Sequence, residues 1–468
     1  MRRLLLMGCV LCFTTAGAAD LVAVYRRAVQ NDPQLREAEA NRLAAIEAKP
    51  QAQAALLPQL SASGSASRER DTGATNTSVP LVGLPGVPAN SQLSYGFNGQ
   101  TTTISHQYGL TLRQNVFNWS SWVALQRADG QLAQAEADYE AAQQDLIERV
   151  SQRYFDVLAA QDELEAQTAA LASVNRQLEQ AESRYQAGLI AITDVQQARA
   201  EHDSGVASVI ESKRQVATAR ELLWEITGDA FDSLARPVEP FQTANPEPAN
   251  EEQWVQMALR QNLALVSSRL AADIARENVS AAQGGHAPTV DIVASHFKNT
   301  SNGDSLFPDG ATAGGTALDQ TARSIGLQIT FPIYAGGAVA SQVRQAVYLQ
   351  RAAKERVERV ARATERATRD SYLGVLSEAS RVKALRQAVD SNSIALEATE
   401  AGYGAGTRSG VDVVQSRRLW VQARTNYAHS RYDYLINVLK LQQAAGILSE
   451  QSLGSVNTGL KEPPPPAP

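Results

Sequence analysis

Two stretches of the chain carry related residues in the same order, "RYQAGLIAITDVQQARA" from Arg184 to Ala200 and "GYGAGTRSGVDVVQSRR" from Gly402 to Arg418. Tyr185, Gly188 and Asp194 recur 218 positions later as Tyr403, Gly406 and Asp412. Glycine adopts the left-handed conformation that ends a helix without a Cβ penalty. Six residues on, Asp194 and Asp412 fall in the first turns of returning helices, where the helix dipole favours a carboxylate. The copies differ where Ile190-Ala191 of the first is Arg408-Ser409 in the second, which sets a guanidinium where the other turn is apolar.

Residues for covalent or metal chemistry are not arranged for it. His106, His202, His286, His296 and His429 show no metal-ligand spacing, and the sequence has no phosphate loop or nucleophile elbow. Asp71-Thr72-Gly73 spells an aspartic-protease triplet, but "SRER" precedes it where that site needs a buried strand. No enzyme, cofactor or metal is expected.

The start, "MRRLLLMGCVLCFTTAGAAD", has Arg2 and Arg3, an apolar run and Ala16-Gly17-Ala18 as a cleavage site, so residues 1–19 read as a secretory signal peptide. Cys9 and Cys12 are the only cysteines and both lie inside it, which leaves no disulfide for the mature chain. Without Arg2 and Arg3, the 43 basic residues become 41 against 49 acidic ones, which disfavours nucleic acid as a partner. No later stretch has 18 uninterrupted apolar residues, so membrane entry is open only to β-strands.

The elements that must position the two turns repeat as well. Residues 20–234 and 251–455 each read as helix, strand, strand, long helix and returning helix, joined by a Pro-rich linker at 235–250 and followed by a disordered Pro-rich tail at 456–468. The first helices are expected over 20–57 and 251–286. Alternating Tyr108, Leu110, Leu112 and Ile325, Leu327, Ile329, Phe331 mark returning strands, which flank Gly/Pro/Ser/Thr-rich insertions. Val157, Leu164, Leu171, Leu178 and Tyr185 then recur every seven residues, as do Val375, Val382, Val389, Leu396 and Tyr403, which is a coiled-coil seam. A proline-free stretch of about 70 residues predicts a helix of ~105 Å.

The expected fold is therefore mainly α with a small β part. Two strands per half make four per chain, and a four-stranded sheet has open edges that lipid cannot satisfy. Three chains supply twelve strands, enough to close a barrel. A second reading stays open at this point: a periplasmic coiled coil, structural or an export adaptor, with the strands as a soluble cap.

The chain resembles the TolC family of outer-membrane efflux and export channels, its TolC subgroup in particular. The residues that carry the likeness are "GLIAITDVQQARA" from Gly188, "AGYGAGTRSGVDVV" from Ala401, "FPIYAGG" from Phe331 to Gly337 and "RYDYLINVLKLQQAAGIL" from Arg431. The resemblance implies a homotrimer with a twelve-stranded β-barrel in the outer membrane of a Gram-negative bacterium and an α-helical tunnel crossing the periplasm, with 235–250 as its equatorial region. It implies the exit duct of tripartite efflux pumps and type I secretion. Outer-membrane lipid, a periplasmic adaptor protein and an inner-membrane transporter of RND, ABC or MFS type are the implied partners.

It also implies roles for single residues. The turns at Gly188 and Gly406 lie at the periplasmic end, and Thr193 and Asp194 bond to Tyr403 and Arg408 to hold the entrance shut until the coiled coils open. Asp412 faces the pore axis as an acidic ring, and Phe331-Pro332 forms a strand-to-helix junction. The subgroup carries a second aspartate three residues after Asp412, where this chain has Gln415, and one acidic ring attracts cations less strongly than two.

Overall fold

The computed structural model describes residues 18–80, 85, 88, 91–306 and 312–461. Most of the signal-peptide reading and the prolines from Pro463 on lie outside the described residues. In the first half, α1 (Leu21–Asn31), α2 (Pro33–Ile46) and α3 (Ala48–Ala54) lead into β1 (Gln59–Pro80) and β2 (Gln92–Phe117). Two long helices follow, α4 (Trp119–Gln186) and α5 (Ile192–Thr227), and then the short β3 (Arg236–Pro237). The second half repeats the order with α6 (Glu251–Gln261), α7 (Leu263–Gln283), β4 (Thr289–Leu306), β5 (Thr312–Thr330), α8 (Ala338–Gly404) and α9 (Gly410–Ala444). The chain closes on α10 (Glu450–Asn457) and β6 (Leu460–Lys461).

Three expectations need correction. The single helices expected over 20–57 and 251–286 are broken. Pro33 lacks an N–H and disfavours helix at the residue before it, so α1 stops at Asn31 and the Asp32 carboxylate accepts from the Leu35 N–H at 2.8 Å. Asn262 separates α6 from α7 without a proline, its side chain accepting from Leu265 N–H at 3.1 Å and donating to the Ala444 carbonyl at 3.0 Å. The tail expected to be disordered from 456 is ordered further: Val456 and Asn457 end α10, and Leu460 and Lys461 pair with Pro237 and Arg236. The strands also run deep into the polar insertions, β1 as far as Pro80, because the backbone ladder continues whatever side chains it carries.

The chain divides into two compact units. Of the described residues, the helical unit holds those up to Ala45, Gln131–Ala272 and those from Ala352 to Lys461. Its main core gathers Leu21, Val24, Leu158, Leu223, Leu439 and Leu453 around Phe155, whose ring stacks on Tyr432 at 5.6 Å. The Tyr154 hydroxyl donates to the Ala235 carbonyl at 2.8 Å, so this buried polar group is satisfied where the linker begins. Buried Asp32 takes both guanidinium nitrogens of Arg149, at 3.2 and 3.0 Å, which ties the α1–α2 break to α4.

The other unit, Ile46–Gly130 with Asp273–Arg351, is built on one antiparallel sheet in the order β1-β2-β4-β5, so β1 and β5 are open edges. The register sorts its faces. Leu60, Leu112, Ala294 and Ile325 form one row, with Ile292, Leu327, Val290 and Ile329 on the same face toward the strand ends that meet the helices. Much of this apolar face is exposed, including Leu60, Leu110, Ile325, Leu327 and Ile329. The opposite face is polar and hydrogen-bonded across strands, with Ser295 to Ser324 at 2.6 Å and Ser105 to Ser301 at 3.3 Å.

Candidate functional site: the ends of the helical hairpins

Both turns have the same backbone. Gly188 has φ of 73° and Gly406 of 78°, left-handed values that suit glycine. Gly188 N–H donates to Tyr185 O and Leu189 N–H to Arg184 O, both at 2.9 Å. Gly406 N–H donates to Tyr403 O and Thr407 N–H to Gly402 O, at 3.1 and 2.9 Å. Each is the Schellman ending of a long helix, so the repeated tyrosines sit one turn before the repeated glycines.

The returning helices begin differently. Ser409 is the N-cap of α9: its hydroxyl accepts from Asp412 N–H at 3.2 Å and donates to the Asp412 carboxylate at 2.9 Å, while Ser409 N–H donates to that carboxylate at 3.0 Å. These bonds close a capping box. The bonds from Ser409, backbone first and then hydroxyl, with Arg408 nearby, hold the Asp412 carboxyl below its ordinary value of 3.8. Ala191 holds the N-cap position of α5 with no side-chain bond, and Asp194 sits third in that helix as Asp412 does in α9.

Thr193 and Asp194 are exposed and make no side-chain hydrogen bond or ion pair among the described residues. Within the single chain the expected quartet is therefore not joined. Tyr403 instead lies under the Arg184 guanidinium, 5.3 Å from ring centroid to Cζ, a contact between α8 and α4. Arg408 is exposed beside the cap of α9, and Gln415 is exposed one turn beyond Asp412. Phe331 and Pro332 lie between β5 and α8, followed by Gly336 and Gly337 with φ of 59° and 82°.

The contacts that join the hairpins were not anticipated from sequence. Arg417, buried on α9, donates to Glu400 on α8 at 2.7 Å and to Gln177 on α4 at 3.1 Å. Arg418 reaches Glu201 on α5 at 3.2 Å. A signal for the first was present, because Arg199 and Glu182, the same positions in the first copy, pair at 2.9 Å. Above Arg417 a polar groove of ≈ 850 Å³ runs between the hairpins, lined by Gln177, Arg184, Glu400, Tyr403 and Val413. Among the described residues no group of His, Cys, Asp or Glu could hold a metal, and no helix is long and apolar enough to cross a membrane.

Four long strands with an apolar exposed face and open edges, in one chain with two helical hairpins, fit the class of outer-membrane channels. The sequence model of the outer membrane efflux protein family matches residues 24–229 and 254–447, and the chain belongs to that family. Outer membrane protein TolC of Vibrio cholerae is 35% identical over 445 residues, covering 95% of this chain and 94% of its own. The Escherichia coli protein of the same name is 35% identical over 452 residues, covering 95% and 86%. The Campylobacter jejuni CmeC outer membrane channel shares the fold, with a TM-score of 0.72 at 16% identity over 96% of this chain and 94% of that one. The protein is an efflux duct of the outer membrane, which removes the reading as a soluble periplasmic coiled coil.

Proposed function

We propose that three copies of the chain close their sheets into one twelve-stranded barrel and that the protein is the exit duct for both efflux and type I secretion, a channel and not an enzyme. The open β1 and β5 edges carry this reading: unpaired backbone groups cost several kcal/mol each in hydrocarbon, about the scale that makes closure obligatory. The helical part opens to a periplasmic adaptor protein and an inner-membrane transporter of RND, ABC or MFS type, and the transporter selects the cargo.

The hairpin ends are the gate. Thr193 and Asp194 present unspent polar groups, and Tyr403 and Arg408 present theirs from the other turn, which supports pairing between and within protomers in the closed trimer. A hydrogen bond contributes ~1 kcal/mol net and an exposed ion pair ~0 to 1, so threefold repetition gives a lock of several kcal/mol. Adaptor and transporter outweigh it by binding the open state more tightly. Asp412 forms an acidic ring at the entrance, and Gln415 leaves that ring single.

Single-channel conductance in a planar bilayer tests the proposal, with the mature protein set against a Tyr403→Phe, Arg408→Ser variant. A small conductance that rises several-fold in the variant is the expected result. Equal conductances would move the gate away from these residues, and no conductance from folded protein of either kind would remove the channel.

A further inference from the structure

The face of the sheet that carries the apolar rows changes character farther from the helices. After Leu60, Leu112, Ala294 and Ile325, the next row is Ala62, Leu110, His296 and Arg323, and the one after it Gly64, Tyr108, Lys298 and Thr321. His106 and Asp319 share the following row, and Arg68 lies in the row beyond. Arg323, Lys298 and Arg68 are all exposed. Lys298 pairs with Asp319 at 3.4 Å, and Arg323 Nε donates to His296 Nδ1 at 3.3 Å. Arg323 and Arg68 have no carboxylate partner among the described residues. On β1 the acids Glu69 and Asp71 fall on the opposite, polar face, while Asp319 and Asp304 share the face of the cations.

The height of this patch follows from strand geometry. Exposed Phe331, just past β5, and exposed Tyr108, level with Thr321, bracket the apolar rows. Ten residues at ~3.3 Å, tilted ~40° in a barrel, rise about 25 Å, the height of the apolar band between the aromatic girdles of an outer-membrane barrel. Tyr108 then marks the outer girdle, with Lys298 in its row, Arg323 one row nearer the helices, where a long side chain reaches the girdle, and Arg68 two rows beyond. A cation without a carboxylate partner, as Arg323 is, is costly on a lipid-facing wall in mid-bilayer and tolerated at the interface, where guanidinium groups pair with phosphate through two parallel hydrogen bonds.

We infer that Arg323 and Lys298, diagonal neighbours on β5 and β4, form an outward binding site for the phosphate groups of a phosphorylated glycolipid in the outer leaflet, held against the barrel wall. This rests on the barrel reading proposed above, and the two are tested separately. Purified protein in detergent is offered diphosphorylated lipid A or its dephosphorylated form, and the lipid retained on the intact assembly is measured by native mass spectrometry. The chain is compared with an Arg323→Gln, Lys298→Gln variant and with Arg113→Gln, which alters a cation on the opposite face. Wild type and Arg113→Gln should hold the phosphorylated lipid about tenfold more strongly than the dephosphorylated one, the ratio that one lost charge-assisted hydrogen bond gives, and the double variant should lose the preference. A heat-stable trimer that retains both lipids equally, or a double variant that keeps the preference, overturns the inference and leaves the barrel standing. Absence of any heat-stable trimer in the wild type overturns the barrel and the lipid site with it.

Discussion

Ser409 and Ala191 stand at the same place in two turns of the same backbone, yet only Ser409 bonds to the helix it begins. Replacing Ser409 with Ala should cost ~1 kcal/mol of local stability at the start of α9, the usual cost of losing a hydroxyl N-cap. Faster hydrogen exchange at the Asp412 amide, with the first turn of α5 unchanged, checks it. The same box sets a pH response. Because the folded Asp412 carboxyl titrates below 3.8, its contribution is complete above that value and is lost as pH falls through the lower folded value. Exchange at the start of α9 should therefore gain on that of α5 only in strong acid, and an Asp412→Asn variant should show the acid-state ratio of the two at neutral pH. Gly188 and Gly406 were legible in the sequence because a helix ending of this type leaves few alternatives to glycine. The cap was not, because a serine before a helix differs from any other loop serine only once the backbone places its hydroxyl.

At the level of helices, the seven-residue steps gave the direction of the packing faces but not how deep each position lies. Val157 and Val375 are both 1% exposed, while Tyr185, at the end of the same seam, is 44% exposed. The duplicated ion pairs show the same divergence. Arg199 is 52% exposed in its pair with Glu182, whereas Arg417 is 8% exposed in its pair with Glu400, because Gln177 of the other hairpin covers it. Arg199→Ala should change stability by ~0 to 1 kcal/mol. Arg417→Ala should cost ~2 kcal/mol, since it also strips a charged donor from Gln177. Thermal unfolding of the two variants side by side checks the order, and equal losses would mean that Arg417 does not tie the hairpins. The break at Asp32 was readable from Pro33, whereas that at Asn262 has no proline and depends on a tertiary partner, the Ala444 carbonyl.

For the assembled protein, the two faces of the sheet predict opposite tolerance. Leu327→Arg, on the apolar face, should cost ~2 to 4 kcal/mol if that row lies near mid-bilayer, and Gln320→Arg, on the polar face, little. The yield of heat-stable trimer in outer-membrane fractions reads both, and equal yields would contradict the facing of the sheet. Duplication, the hairpin turns, the membrane-crossing strands and the family likeness could all be read from the chain alone, because each depends on local periodicity or on residues whose backbone preferences are nearly unique. The polar partners could not: Tyr403 under Arg184, Arg417 between Glu400 and Gln177, and Lys298 beside Tyr108 come from segments distant in sequence. Side-chain periodicity says which face a residue takes, but a hydrogen bond or an ion pair needs two groups within about 3 Å, and only the folded register and helix packing bring them there.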